Sequence, residues 1–285
     1  MNVRYVTIGL VVLATLVLTV LDVCASGPAV KAGTPTENIS RHTLIVTNVD
    51  HPVPYLLYHP TELTKTDSRS LLIYLYGAGG SIKDYNLERT PYAKLRAELA
   101  QRGYYIVVPE LGPRHFMNNQ AKHMLDAVVD NVLTNNHIST SRVCIMGTSM
   151  GAGSALAYAI HRPGLIHAVC AVMPMTDFAA WTQENPSYAP ALAKSFGGTP
   201  EEKPKAYDDN SALKHLDVFA KIPVFLIHGD ADTTVPCENS KRLADALKVR
   251  GYTCTFRTVH GAKHSDAVMT NFQDEVADFF DAALK

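Results

Sequence analysis

Two kinds of segment alternate along the chain. Leu71–Tyr76 (LLIYLY), Tyr104–Val108 (YYIVV), Arg142–Met146 (RVCIM), Ala168–Met173 and Ile222–Ile227 (IPVFLI) are short and mostly apolar. Runs that stay apolar at successive positions, instead of alternating, indicate strands covered on both faces. Between them the apolar residues take helical spacing. Tyr92, Leu95 and Leu99 mark a helix over Tyr92–Arg102, with Gly103 to stop it, and Met124, Val128, Val129, Val132 and Leu133 mark a second. Ser149–His161, rich in Gly, Ala and Ser, reads as a third helix. Helix Glu238–Val249, strand Cys254–Val259 and helix Asp266–Leu284 follow. His42–Thr47 and Val53–Tyr58 read as an antiparallel hairpin ahead of this series. The pattern predicts an α/β fold: a mainly parallel central sheet with helices on both faces. In such sheets ligands meet the loops at the carboxyl ends of the strands. Pro174–Asn210 breaks the rhythm. It holds Met175, Phe178, Trp181, Tyr188 and Phe196. We read it as a short cap insertion over the site, with aromatic packing on the core as the alternative.

The first residues have a different pattern. After Arg4, Val6–Leu21 carries no charge and is mostly apolar; Asp22 ends the run, and Val23-Cys24-Ala25 follows. This is the layout of a signal peptide over residues 1–25, cleaved after Ala25, and predicts a secreted or periplasmic protein. Two alternatives stay open: an uncleaved membrane anchor, since Val3 to Val23 approaches spanning length, and lipidation at Cys24. Pro28–Thr36 is rich in Pro, Gly, Ala and Thr, so residues 26–40 read as a linker and 41–285 as one catalytic domain.

Composition narrows the partners. Of 285 residues 47% are hydrophobic and 19% charged, which is ordinary globular usage and too apolar for a disordered chain. Lys and Arg total 26 against 27 Asp and Glu, a net charge of −1. No basic excess draws the chain to nucleic acid, and membrane contact is expected only through the N-terminal segment. Five cysteines are present, none in a C-x-x-C pair, so no metal knuckle is indicated. Cleavage would leave Cys144, Cys170, Cys237 and Cys254, which an exported protein could pair; Cys144 and Cys170 sit in apolar runs and read as free buried thiols.

The candidate chemistry lies in three loops that follow strands. After RVCIM comes Gly147-Thr148-Ser149-Met150-Gly151. G-x-S-x-G arises by chance about once in ten chains of this size, so its place between a strand and a small-residue helix carries the weight. A serine hydroxyl must project freely to a base, a sharp turn achieves that, and glycine two residues to either side relieves the crowding. Ser149 is the candidate nucleophile, and the Met150 N–H faces the developing oxyanion. A serine nucleophile needs a base and an acid that orients it. After Ile222–Ile227 comes His228-Gly229-Asp230-Ala231-Asp232; we take Asp232 as the acid, Asp230 as a turn residue bonding its own loop, and His228 as structural. After Cys254–Val259 comes His260-Gly261-Ala262-Lys263-His264, and we take His264 as the base ahead of His260. The two histidines and two aspartates suggest no metal site, because Gly261 spoils a ligand-bearing helix. The loop Gly77-Ala78-Gly79-Gly80-Ser81 lacks G-x-G-x-x-G and its acidic partner, so no dinucleotide and no other cofactor is expected. It fits a second oxyanion donor, Ala78 ahead of Gly79. Glu110, Arg114 and His115 occupy another strand-end loop without an assigned role.

YGAGGS at Tyr76–Ser81, SRVCIMGTSMGAG at Ser141–Gly153, IPVFLIHGDADTTVP at Ile222–Pro236 and GAKHS at Gly261–Ser265 together resemble the α/β-hydrolases. They are most similar to the branch holding dienelactone hydrolases, secreted polysaccharide esterases and prolyl oligopeptidase catalytic domains. The resemblance spans residues 40–285 and implies an α/β-hydrolase fold. By position it carries the roles of nucleophile, acid and base to Ser149, Asp232 and His264, and of oxyanion donors to Met150 and Ala78. Tyr76 departs from the histidine often found there, and Ala152 from a second glycine. The resemblance implies a secreted serine hydrolase forming an acyl-enzyme on carboxylic esters, with acetyl or feruloyl esters of polysaccharides as candidate substrates. A serine peptidase of prolyl oligopeptidase type is the alternative, disfavoured because the chain leaves no room for their propeller domain. A silent binding protein on the same fold is the other.

Overall fold

The computed structural model describes residues 37–61, 69–82 and 91–285. The expected signal segment, its cleavage site and most of the linker lie outside the described residues. Eight strands form one sheet: β1 (Glu37–Leu44), β2 (Val53–Pro60), β3 (Ser70–Leu75), β4 (Tyr104–Pro109), β5 (Val143–Thr148), β6 (Ile166–Val172), β7 (Val224–Gly229) and β8 (Cys254–Val259), in the order β1-β2-β4-β3-β5-β6-β7-β8. β1 and β2 pair antiparallel with register Glu37↔Pro60, and β2 pairs antiparallel with β4; β3 to β8 run parallel to one another. The expected hairpin is present, with β1 starting at Glu37, inside the stretch read as linker.

The continuous apolar runs are explained by what covers them. Along β3, Leu71, Ile73 and Leu75 enter one core, and Leu72 and Tyr74, followed by Tyr76, enter the other. The first core contains the apolar stripes of α2 (Asn119–Asn135) and α7 (Glu238–Val249), and α3 (Met150–His161). The second contains those of α1 (Tyr92–Gln101) and α8 (Gln273–Ala283). With period-2 side chains, a strand clad on both faces must be apolar throughout. In α3 every residue from Met150 to Ala159 is buried, which its small side chains permit and which erases any amphipathic stripe. β8, at the sheet edge, is only partly buried, and its Arg257 pairs with Glu275 on α8 at 2.6 Å.

Two expectations need correction. The segment Pro174–Asn210 is mostly helical: α4 (Phe178–Glu184), α5 (Ala189–Phe196) and α6 (Pro204–Asp208), with a 3-10 turn at Pro186–Tyr188. Pro186, Pro190 and Pro204 stand in first turns, where their missing N–H costs nothing. The single helix read over Asp266–Leu284 is instead a 3-10 turn, Asp266–Met269, then α8. Side chains compete for the backbone there: Ser265 Oγ accepts from Ala267 N–H at 3.2 Å and Thr270 Oγ1 donates to Ala267 O at 2.8 Å.

Candidate active site

β5 runs straight into α3, and Ser149 is the single residue between them. It has φ 55° and ψ −119°. A non-glycine residue so placed is strained by on the order of 1–3 kcal/mol and needs its surroundings to hold it. They do: Ser149 N–H donates to Val172 O at 2.8 Å, and Ser149 O accepts from Ala152 and Gly153 N–H at 2.9 and 3.1 Å. The flanking glycines are obligatory. A Cβ on Gly147 would lie 2.1 Å from Gly151 O, and one on Gly151 would lie 2.0 Å from Leu75 O.

Three side chains far apart in sequence form one hydrogen-bonded line. His264 Nε2 is 2.8 Å from Ser149 Oγ, and His264 Nδ1 is 2.6 Å from Asp232 Oδ2. Asp232 has a fully buried side chain. Burial alone would raise its pKa, but hydrogen bonds from His228, His264 and the Val235 N–H outweigh that and hold it well below the usual carboxylate range. It therefore stays ionised, and its Oδ1 accepts from the Thr234 and Val235 N–H groups at 2.9 and 3.0 Å. An ionised Asp232 fixes the proton of His264 on Nδ1 and leaves Nε2 free to accept from a hydroxyl.

Asp230 faces elsewhere. Its Oδ2 is 2.8 Å from His260 Nδ1 and its Oδ1 accepts from Gly261 N–H at 2.6 Å. The expectation that Asp230 bonds its own loop needs correction: its carboxylate braces the loop of His260. With Asp230 N–H to Val259 O (3.2 Å) and Ala231 N–H to Ala262 O (3.0 Å), it stitches the loop of Asp232 to the loop of His264. His260 and His264 thus bind different aspartates.

The loop after β3 abuts the serine: a Cβ on Gly77 would lie 3.6 Å from Ser149 Cβ. Gly79 N–H is committed to Pro113 O at 2.7 Å, whereas the Ala78 and Met150 N–H groups meet no acceptor among the described residues. This separates Ala78 from Gly79 as an available donor. The departure at Tyr76 has a structural use. Its hydroxyl donates to Glu110 Oε1 at 2.5 Å and accepts from Leu111 N–H at 3.0 Å, while Glu110 Oε2 accepts from Ile82 N–H at 3.0 Å. Glu110 is a brace under this loop.

A cleft of about 430 Å³ opens over Ser149, bounded by Gly77–Gly80, Met173, Tyr188, His264 and Asp266. Of the segment read as a cap, Tyr188 reaches this cleft. Phe178, Trp181, Leu192 and Tyr207 are buried in core packing. Trp181 Nε1 and Asn185 Nδ2 donate to Thr234 O at 3.3 and 2.9 Å, and Glu184 accepts from Asn239 Nδ2 at 2.8 Å and pairs with Arg242. The sequence reading missed Tyr92, whose hydroxyl is 2.6 Å from Thr148 Oγ1 and donates to Asp266 Oδ1 at 3.2 Å, tying the serine turn to the histidine loop. It also missed how His228 serves Asp232. The one sequence signal was the position of His228 at a strand end, four residues before the acid.

The fold is that of the α/β-hydrolases, and solved structures share it. A puromycin-hydrolysing peptidase of Mycobacterium tuberculosis superposes with TM-score 0.70 at 17% identity, over 87% of this chain and 39% of that one. A ferulic acid esterase superposes with TM-score 0.67 at 18% identity, over 88% of this chain and all of that one. Residues 114–285 match the prolyl oligopeptidase family, and the chain belongs to that family of serine hydrolases. A curated relative, dipeptidyl peptidase family member 2 of Caenorhabditis elegans, is 24% identical over 227 residues, 74% of this chain and 26% of its own length. The chain spans about a quarter of the length of the curated relatives it matches over most of its length.

Proposed function

We propose that the chain is an exported serine hydrolase of carboxylic esters, with Ser149 as nucleophile, His264 as general base and then acid, and Asp232 orienting the imidazole. The line Asp232–His264–Ser149, at 2.6 and 2.8 Å, carries the reading. Ser149 Oγ attacks the ester carbonyl and its proton passes to His264 Nε2. The carbonyl oxygen takes the charge opposite the Ala78 and Met150 N–H groups. His264 then protonates the departing alcohol oxygen, and water repeats the sequence on the acyl-enzyme. Candidate substrates include acetyl and feruloyl esters of polysaccharides.

Family membership favours a second reading, a peptidase. Some of the curated relatives are named dipeptidyl peptidase or dipeptidyl-aminopeptidase. Reading a peptide's free ammonium requires an available carboxylate, and the one acidic side chain lining the described cleft, Asp266, is engaged by Tyr92. That supports the ester reading. The test is paired turnover of 4-nitrophenyl acetate and an Xaa-Pro 4-nitroanilide. Ester cleavage alone is expected. Anilide cleavage at comparable kcat/KM would make the chain a peptidase, and failure to take up a fluorophosphonate at Ser149 would make it a silent binding protein.

A further inference from the structure

Beside the cleft over Ser149 lies a second one of about 620 Å³, between the Leu111–His115 loop, the start of α2, and α5. Two features join them. Gly79, in the loop that lines the first cleft, is bonded to Pro113, in the loop that lines the second. Tyr188 bounds the first cleft, and Pro190, two residues on, bounds the second.

The chemistry of the second cleft is one-sided. Arg114 and Lys194 stand exposed on opposite walls; among the described residues neither forms an ion pair, and no Asp or Glu lines the cavity. His115, also on its surface, is kept neutral by burial. The remaining lining mixes apolar surface from Leu111, Met124 and Pro190 with Asn118, Gln120 and Ser195; Asn118 bonds Ala121 N–H and Ser195, and Ser195 donates to His115 O. A cleft with apolar surface along its length and two cations at its rim suits a hydrocarbon chain that ends in a carboxylate. A guanidinium presents paired donors to a carboxylate, and two cations facing one cleft favour an anionic group there.

The half of the ester that enters follows from the position of His264. The leaving oxygen must stay within reach of its Nε2 to be protonated, and His264 borders the first cleft but not the second. The alcohol therefore stays on the His264 side, and the acyl chain is the part free to run past the Gly77–Gly80 loop. We propose that this second cleft is an acyl subsite selecting acyl groups with a distal carboxylate, so that half-esters of dicarboxylic acids are preferred over esters of simple fatty acids. The inference rests on the ester-hydrolase reading above.

The experiment compares kcat/KM for mono-4-nitrophenyl esters of linear dicarboxylic acids with that for 4-nitrophenyl esters of the monocarboxylic acids of equal length. Chain length is varied to locate the carboxylate. The acid-to-neutral ratio is expected to peak at one length, and Arg114→Gln and Lys194→Gln are each expected to lower that peak ratio about tenfold, the size of one charge-assisted hydrogen bond. A ratio that is flat with length, or that both variants leave unchanged while neutral esters are cleaved, overturns the subsite and leaves the hydrolase reading standing. No turnover of any ester, with an Xaa-Pro anilide cleaved, overturns the ester reading and this inference together.

Discussion

His228 lies 3.3 Å from Asp232, Nε2 to Oδ2, with both side chains fully buried. The same ring is 2.8 Å from Val235 O through Nε2 and 2.7 Å from Ser240 Oγ through Nδ1. The carboxylate bonded to His264, our proposed acid, is thus itself held by a histidine from the strand beneath it. Replacing His228 by Leu leaves Ser240 and Val235 O buried without their partner, a cost on the order of 1–3 kcal/mol, and frees Asp232 to shift. Urea denaturation is expected to show a loss of that size, with a lower kcat. Unchanged stability would mean the buried contacts contribute nothing net.

The strain at Ser149 separates its chemistry from its fold. Ser149→Gly removes the proposed nucleophile and also relieves a backbone conformation that costs a side-chain-bearing residue on the order of 1–3 kcal/mol. It is expected to abolish ester turnover while raising Tm above that of Ser149→Ala. Equal melting of the two variants would show the strain to be compensated locally.

The two aspartates after β7 are expected to part company. Asp232→Asn favours the wrong tautomer of His264 and should lower kcat by on the order of 10⁴-fold. Asp230→Asn loses contacts to His260 and Gly261 at the surface, and should lower it far less. Parallel kinetics on the two variants decide it: a dead Asp230 variant beside an active Asp232 variant would reverse the assignment.

Stability should depend on pH through His115. Burial pushes its pKa down to about 3, against ~6.5 for a free histidine. Between those values the unfolded chain binds a proton that the folded chain refuses. The contribution is therefore complete above about pH 6.5 and declines as pH falls toward 3, by at most about 1.4 kcal/mol per pH unit. Asn in its place can still accept from Met117 N–H, as His115 Nδ1 does at 3.1 Å. His115→Asn is expected to flatten the slope of unfolding free energy between pH 4.5 and 6.5; an unaltered slope would assign the acid sensitivity to other groups.

What was legible in the sequence was what neighbouring residues decide. The strands β3 to β7 are apolar because both faces are covered, and Gly147 and Gly151 are needed by the turn that contains them. What was not legible depends on partners distant in the chain. Pro113 engages Gly79, and only that leaves Ala78 as the available donor. Asp230 binds the loop at 260–261, thirty residues on, so its own surroundings suggested a local turn. The helices of the 174–210 segment start on Pro186, Pro190 and Pro204, which occur just as readily in loops, so the short helices became visible only with their packing.

The hydrogen bonds from Trp181 and Asn185 to Thr234 O have an engineering consequence. Thr234 N–H donates to Asp232, so one peptide unit away from the acid the chain is anchored to the insertion that borders the cleft. Glu184, bonded to Asn239 and Arg242 at the start of α7, adds a second anchor. Residues 174–210 are consequently not an interchangeable cassette. A graft of a foreign insertion chosen only for its fit to substrate would cut these tethers and disturb the acid. Retargeting is better sought in Tyr188 and the α5 wall, which border the clefts without carrying those bonds.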